Sequence, residues 1–448
     1  MTRYNRRRFI ARAGNMAAAT ALSVPNFSRA SAVSSQGSAS DRIGLGLIGC
    51  RGVGWQNLQA HLQVPGIEFI ALCDIDQSIL DQRTSDYEGL TGKKIATYRD
   101  FRLMLENKDI DAVIISTPDH WHAIQTIMAC EAGKDVYVEK PLGNNIDDCE
   151  AMIGAVRHFK RVCQVGQQQR SGPHWQGAIR YVQSGELGPV RFVKTWGYIN
   201  WKGPLPPLPD EPVPNGVDYD MWLGPAPERP FNPNRFHYNF RYYWDYAGGM
   251  MTDWGVHMID IALLGMKASG LKSVMSSGGK IAYPRGAQDT PDTQQVIYEF
   301  SDHMMSWEHA IGIAGGPYGR DHGVAFIGDN GTLVVDRQGW EVLPESERLG
   351  GGQFQSKMEA IALQPSEGDD RVLHSRNFID CIRTRREPIC PIESGAEVAR
   401  VAHYGNIAFR AGERLNADPA TGKLVLAGQA LHLSQAHYRA PWRLNSYM

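Results

Sequence analysis

The chain predicts an α/β fold: a doubly wound parallel sheet in its first part, then an α+β unit with a large, mostly antiparallel open sheet. Three observations lead there. From Ile43 to Val165, short β-branched runs alternate with amphipathic segments, the pattern of parallel strands joined by crossover helices. A glycine-rich turn, Gly49-Cys-Arg-Gly-Val-Gly54, closes the first of those runs. After Val165 the alternation gives way to glycine-punctuated strands with turns such as Ser301-Asp302 and Asp329-Asn-Gly331, which suit antiparallel connections.

In the first part, strands are expected over 43–48, 68–73, 112–116, 135–138 and 161–165. Helices are expected between them, over 53–62, 79–90, 98–105, 120–132 and 147–159. In the second part, the expected strands are 190–199, 272–281, 294–300, 304–311, 323–327 and 332–335, with a helix beginning near Thr252.

At 448 residues the chain has room for two cores, and 42% hydrophobic residues is ordinary for a globular protein. No internal stretch reaches the ~18 apolar residues of a membrane span. The N-terminus differs from the rest. Asn5-Arg-Arg-Arg-Phe-Ile10, an Ala-rich segment from Ala17 to Val24 and the small residues Ala30-Ser-Ala32 together resemble a twin-arginine export signal over residues 1–32. Residues 33–41 read as a flexible arm. The alternative is a basic disordered tail. Export implies passage through the twin-arginine machinery and a periplasmic or otherwise exported location. Removing residues 1–32 takes six arginines and no acid, so the net charge moves from -2 to -8, which disfavours nucleic acid as a partner. Seven cysteines with no Cys-x-x-Cys spacing argue against a disulfide framework or a zinc site, and no metal is expected.

Gly44, Gly46 and Gly49 match Gly-x-Gly-x-x-Gly letter by letter, but the first two lie inside the apolar run Ile43–Ile48, and a strand cannot cradle a phosphate. The glycines expected at a pyrophosphate are Gly49, Gly52 and Gly54, where strand passes into helix, with Arg51 and Val53 between them. Alone the motif is weak. The second strand ends at Asp74, 25 residues after Gly49, where an acid accepts hydrogen bonds from a ribose and repels a 2'-phosphate. NAD is therefore preferred to NADP, a helix cap being the bland reading of Asp74. Two more strand ends, Thr117-Pro118-Asp-His120-Trp-His122 and Glu139-Lys140-Pro141, reach the ligand side of such a sheet, which puts Thr117, Pro118, His120, His122, Glu139 and Lys140 at the cofactor.

The glycine turn, Asp74, Thr-Pro and Glu-Lys-Pro at these separations resemble the glucose-fructose oxidoreductase and inositol dehydrogenase family (Gfo/Idh/MocA), over most of the chain after residue 42. The resemblance implies a Rossmann dinucleotide-binding domain over 42–165. It also implies a domain over 166–448 that binds substrate and forms oligomer contacts, as a dimer or tetramer, and a catalytic lysine at Lys140. A Pro-rich and aromatic insert, 201–246, interrupts the second domain.

In the second part Asp253 and His257, four apart on the expected helix, share a face. Such a pair is also compatible with an exposed polar contact or with two metal ligands. In the resembling family this spacing presents both to a sugar. Oxidising a secondary alcohol needs a base for the hydroxyl proton, and histidine titrates near working pH. His257 is the expected base, Lys140 the group that stabilises charge on the same oxygen, and Asp253 the group that orients the imidazole and a neighbouring hydroxyl. Asp260 is expected to support the helix. The insert holds six prolines in the eleven residues from Pro204 to Pro214 and seven aromatics in the eleven from Phe236 to Tyr246. Rings pack against the C–H faces of sugars, so Trp201, Arg241 and Trp244 join Arg170 as candidate substrate contacts, core packing being the competing use of the aromatics.

Outside the cytoplasm no NADH pool is expected, so the cofactor would be loaded before export, tightly bound and recycled in place. The reading is a dehydrogenase or oxidoreductase acting on a sugar, polyol or glycoside. Its alternatives are a redox-neutral glycosidase, a branch that on the resemblance does not rely on the Glu-Lys-Pro lysine, and a sensor without turnover.

Overall fold

In the computed structural model, residues 42–445 and 447 are described; the expected export signal and arm, residues 1–41, lie outside them. Six short strands form a parallel sheet: β1 (Ile43–Ile48), β2 (Ile67–Cys73), β3 (Ala96–Tyr98), β4 (Ala112–Ile115), β5 (Asp135–Val138) and β6 (Cys163–Val165). Their order is β3-β2-β1-β4-β5-β6, the doubly wound arrangement, and it reverses direction between β1 and β4. β1, β4 and β5 are buried along their whole length, as strands covered on both faces must be. The crossovers are α1 (Gly52–His61), α2 (Gln77–Thr91), α3 (Phe101–Leu105), α4 (His122–Glu131) and α5 (Ile146–His158). The helix expected over 98–105 is a correction: Tyr98 ends the edge strand β3, and Asp100 caps the short α3 through the Arg102 amide.

The chain then runs through α6 (Pro173–Ser184), β7 (Val190–Ile199), the short α7 (Tyr219–Leu223) and α8 (Val256–Met266). Next come β8 (Ser273–Gly279), β9 (Thr293–Glu299), β10 (Met304–Ile311), β11 (His322–Gly328), β12 (Gly331–Asp336) and β13 (Gly339–Pro344). A small hairpin pairs β14 (Ser346–Arg348) with β15 (Phe354–Ser356), and β16 (Ile361–Pro365) follows. After α9 (Asp370–Thr384) and α10 (Ile392–Ala411), the chain closes with β17 (Leu415–Asn416) and α11 (Gly428–Ser434). The large sheet has nine strands in the order β16-β13-β12-β11-β7-β10-β9-β8-β17, antiparallel except for β7 beside β10. One face buries Val193, Met305, Trp307 and Phe326 against Trp175 of α6, Ile259 of α8 and Val401 of α10.

The described residues form one compact unit. Late in the second part of the chain, α9 and α10 return to the parallel sheet. Phe378 and Ile379 pack with Leu45, Leu47 and Ile114, while Ile392, Ala396 and Ala399 pack with Val138 and Val165. All seven cysteines are free and buried.

Candidate active site

At the end of β1, Gly49 takes φ +86°, and a Cβ there would lie 2.7 Å from the Ser116 carbonyl oxygen, so no side chain fits. A Cβ on Gly54 would lie 1.9 Å from the Gly49 carbonyl oxygen, so this glycine lets α1 pack onto the turn. Gly52 has open space where a side chain would project. Arg51, extended and exposed, precedes α1 without capping it by its side chain, which leaves the first-turn N–H groups for an anion. Asp74 accepts from the Cys50 amide (2.8 Å) and the Asp76 amide (3.1 Å) and faces the same cleft. Burial pushes its carboxyl up to about 6. Asp74 is not the helix cap; Asp76 is, accepting from Ser78.

These residues line a cleft that runs across the carboxyl ends of β1, β2, β4 and β5. Gly49, Arg51, Gly52, Val53 and Asp74 form one end; Thr117, Pro118, Glu139, Lys140, Arg241 and Asp253 line the other. A glycine cradle, a helix N-terminus and an acid fixed beside them fit a dinucleotide.

At the far end, Lys140 leaves β5 and its Nζ donates to both the carbonyl oxygen and Oδ1 of Asp253, each at 2.8 Å. Arg241 Nε lies 3.1 Å from Asp253 Oδ2. Burial alone would raise the Asp253 carboxyl, but Lys140 and Arg241 hold it well below the usual carboxylate range. Asp253 sits in a π turn, Met251–Gly255, and regular helix begins only at Val256. Asp253 and His257 therefore do not share one regular turn, as the sequence led us to expect. His257 is 6% exposed, lies behind the cleft wall rather than on it, and has a buried Nδ1 with no hydrogen-bond partner among the described residues. Burial first, then Lys140 and Arg337, push its imidazole well below the usual histidine range. This corrects the expectation of a group titrating near neutrality.

Other expected contacts are placed elsewhere. Arg170 Nε and Nη2 both donate to the Asp260 carboxylate, at 2.6 to 3.1 Å, in a buried pair that pins α8, so its guanidinium is not turned to a substrate. His120 lies off the cleft, its Nε2 3.1 Å from the Trp222 carbonyl oxygen. The His122 ring lies between the carbonyl oxygens of Pro141 (2.8 Å) and Thr117 (3.0 Å), bracing the two strand-end turns from behind. Trp244 stacks under Arg410 at 4.6 Å in a separate pocket with His432 and Tyr438. Trp201 is 55% exposed, with its ring 6.4 Å edge-on from that of Tyr238, which does line the cleft.

The aromatic run divides its work. Tyr242, Tyr243 and Tyr246 pack with Trp222 in a core, whereas His237, Tyr238, Phe240 and Arg241 form cleft wall. The insert is strapped to the loop after β2. Gly216 accepts from the Gln77 amide and from Arg99, both at 3.0 Å, the Asp218 amide donates to the Ile75 carbonyl oxygen (3.0 Å), and His237 Nε2 lies 3.0 Å from Asp76 Oδ2. Neither Asp76 nor His237 was singled out by sequence. Asp119 was also missed: it is 6% exposed, lines the cleft, and has no side-chain hydrogen bond among the described residues. Burial pushes its carboxyl up to about 8, with Lys140 opposing and Asp253 adding to the rise. The only signal was an acid after the strand-ending proline, which reads equally well as a helix cap.

The model described as "Oxidoreductase family, NAD-binding Rossmann fold" matches residues 43–167. Two models described as "Oxidoreductase family, C-terminal alpha/beta domain" match 180–273 and 228–414. The chain belongs to the Gfo/Idh/MocA family and is an enzyme of the oxidoreductase class. It is 24% identical over 372 residues to the uncharacterized oxidoreductase YrbE of Bacillus subtilis (strain 168), covering 81% of this chain and 92% of that one. A glycosyl hydrolase family 109 protein of Shewanella baltica is 28% identical over 152 residues, 33% of each chain. Among solved structures, the aldose-aldose oxidoreductase of Caulobacter crescentus complexed with glycerol superposes with TM-score 0.62 at 23% identity, over 84% of this chain and 99% of that one. Levoglucosan dehydrogenase in complex with NADH superposes with TM-score 0.63 at 19% identity, over 84% and 99%. These two likenesses establish the shared fold.

Proposed function

We propose that this enzyme is an exported oxidoreductase that oxidises a secondary hydroxyl of a sugar, polyol or glycoside, using a tightly held NAD that is recycled in place. The observation that carries the reading is the Lys140–Asp253 contact at 2.8 Å, at the end of the cleft that begins with the glycine turn and Asp74. Bound NAD supplies the hydride acceptor. Lys140 hydrogen-bonds the reacting oxygen and stabilises negative charge as it develops. Asp253, kept ionised by Lys140 and Arg241, fixes the ammonium and a neighbouring hydroxyl. His257, neutral at working pH, is assigned to take the proton, which requires the reacting hydroxyl to reach past the cleft wall to its imidazole. Tyr238 and Phe240 offer faces to the sugar ring. Asp74 favours NAD over NADP by charge. The insert strapped across the cleft supports retention of the cofactor.

We further propose that a second copy covers the open face of the large sheet, where Phe192 is 53%, Met275 40% and Leu343 41% exposed. Light scattering on the purified protein tests this. The main reading is tested by releasing nucleotide from the purified mature protein and by following absorbance near 340 nm while sugars, polyols and glycosides are added. Absence of NAD, with no binding of added NAD, would end it. The matches to glycosyl hydrolase family 109 proteins favour a second reading, redox-neutral hydrolysis of a glycoside. Release of the aglycone from nitrophenyl glycosides with no net NADH would select it. A sensor would show neither reaction.

A further inference from the structure

Two cations near the catalytic centre have no role in the reading above. Arg337 sits at the turn between β12 and β13, exposed, with its guanidinium 4.7 Å from the ring centroid of Trp254, the residue after Asp253. No carboxylate among the described residues lies within ion-pair distance of it, although Asp253, Asp370 and Asp321 attract it from further away. Asp336 pairs with Arg320 (2.9 Å), Asp321 with His322 Nδ1 (2.6 Å), and Asp370 accepts from Trp175 Nε1 (3.1 Å). Arg371, at the start of α9, donates to Asn57 Oδ1 (2.8 Å), and Asn57 donates to Glu139 Oε1 (2.8 Å), the residue before Lys140. Arg371 also has no carboxylate within ion-pair distance among the described residues. Both arginines act on the same imidazole, since each lowers the proton affinity of His257. Lys140 and Arg241 are already balanced in part by Asp253. Arg337 and Arg371 are therefore guanidiniums with no directly paired carboxylate among the described residues, one beside the residue that follows Asp253 and the other linked through Asn57 to the residue that precedes Lys140.

A guanidinium lying on an indole keeps its planar fork of N–H donors free, and that fork matches a carboxylate or phosphate through two parallel hydrogen bonds. We infer that Arg337, stacked on Trp254 and seconded by Arg371, forms an anion-recognition subsite, so that the sugar oxidised carries a negatively charged group. This rests on the oxidoreductase reading for the reaction, but not for binding.

The test uses purified protein with NAD bound and compares glucose with glucuronate, galacturonate and gluconate in one arm and with glucose 6-phosphate in the other. Binding is measured by calorimetry and turnover by NADH absorbance. A charged sugar should exceed glucose at least tenfold in affinity or kcat/KM, and the arm that does so identifies carboxylate or phosphate. R337Q should cut that acid-to-neutral ratio at least tenfold, with R337K restoring part of it. Equal or better use of glucose overturns the subsite and leaves the oxidoreductase reading standing. Charged-sugar binding that R337Q abolishes, without turnover of any sugar, supports the subsite and removes the redox reading. Failure of wild type to bind any anion, or an R337Q ratio equal to wild type, overturns the inference.

Discussion

Replacing Lys140 by Met tests the centre of the proposed site. Lys140 and Asp253 side chains are 12% and 15% exposed, so the carboxylate left behind is largely desolvated. Breaking a buried pair by deleting one partner ordinarily costs about 3–5 kcal/mol. Here Arg241 stays 3.1 Å from Asp253 Oδ2, so the loss should fall nearer 2 kcal/mol. D253N should cost a comparable amount by leaving two cations facing each other. The double variant should be less destabilised than the sum, because neither partner is then stranded. Urea unfolding of wild type, both single variants and the double variant gives this cycle directly. In the same proteins, K140M should lower the single-turnover rate of NADH formation by about 10²–10³-fold, the loss typical of one donor to a developing oxyanion. Wild-type turnover in K140M, or stability losses that simply add, would refute the claim that this pair is a preorganised catalytic contact.

Three further outcomes are expected. Asp119 has a folded pKa near 8 against an ordinary 3.8, so its contribution is full below pH 3.8 and is lost as pH rises toward 8. D119N should flatten the pH dependence of stability across that window and raise stability at pH 7 by up to about 4 kcal/mol, read by urea unfolding at several pH values. His257 is held well below the usual histidine range, so the acid limb of kcat/KM should lie below pH 6.5 and vanish in H257Q along with most of the rate. H237A removes the insert's contact with Asp76, a hydrogen bond to a charged group worth about 1.5–3 kcal/mol, and should speed NAD release by roughly 10–100-fold in a filtration or fluorescence assay. Unchanged release would mean that the insert does not retain the cofactor.

The parallel sheet was legible because its code is local. Strands β1, β2, β4 and β5 are short apolar runs, and the residues just past their ends, Gly49, Asp74, Thr117 and Lys140, all reach one cleft, whereas the short polar edge strand β3 had no such signal. What sequence could not show depends on contacts between distant segments. Arg170 looks like any polar loop arginine until Asp260, ninety residues on, closes on it. Trp244 and Tyr238 belong to one aromatic run, yet one stacks under Arg410 in another pocket and the other lines the cleft, because a short 3₁₀ segment, His237–Tyr242, turns between them. The return of α9 and α10 to the first sheet was equally invisible, since their apolar faces would suit either half.

That return also bears on function. Lys140 follows β5, whose Val138 packs with Ile392, Ala396 and Ala399 of α10, and Asp253 leads into α8, whose Ile259 and Ile261 pack in one cluster with Val398, Val401 and Ala402 of the same helix. One helix thus contributes to both cores, and the 113-residue gap between lysine and aspartate is spanned by packing rather than by a loop. Closely packed interiors yield little, so the separation of these two charges is set before any substrate arrives. A site built this way is suited to stabilising charge that develops on a bound oxygen, because its dipoles need no reorganisation at the moment of reaction.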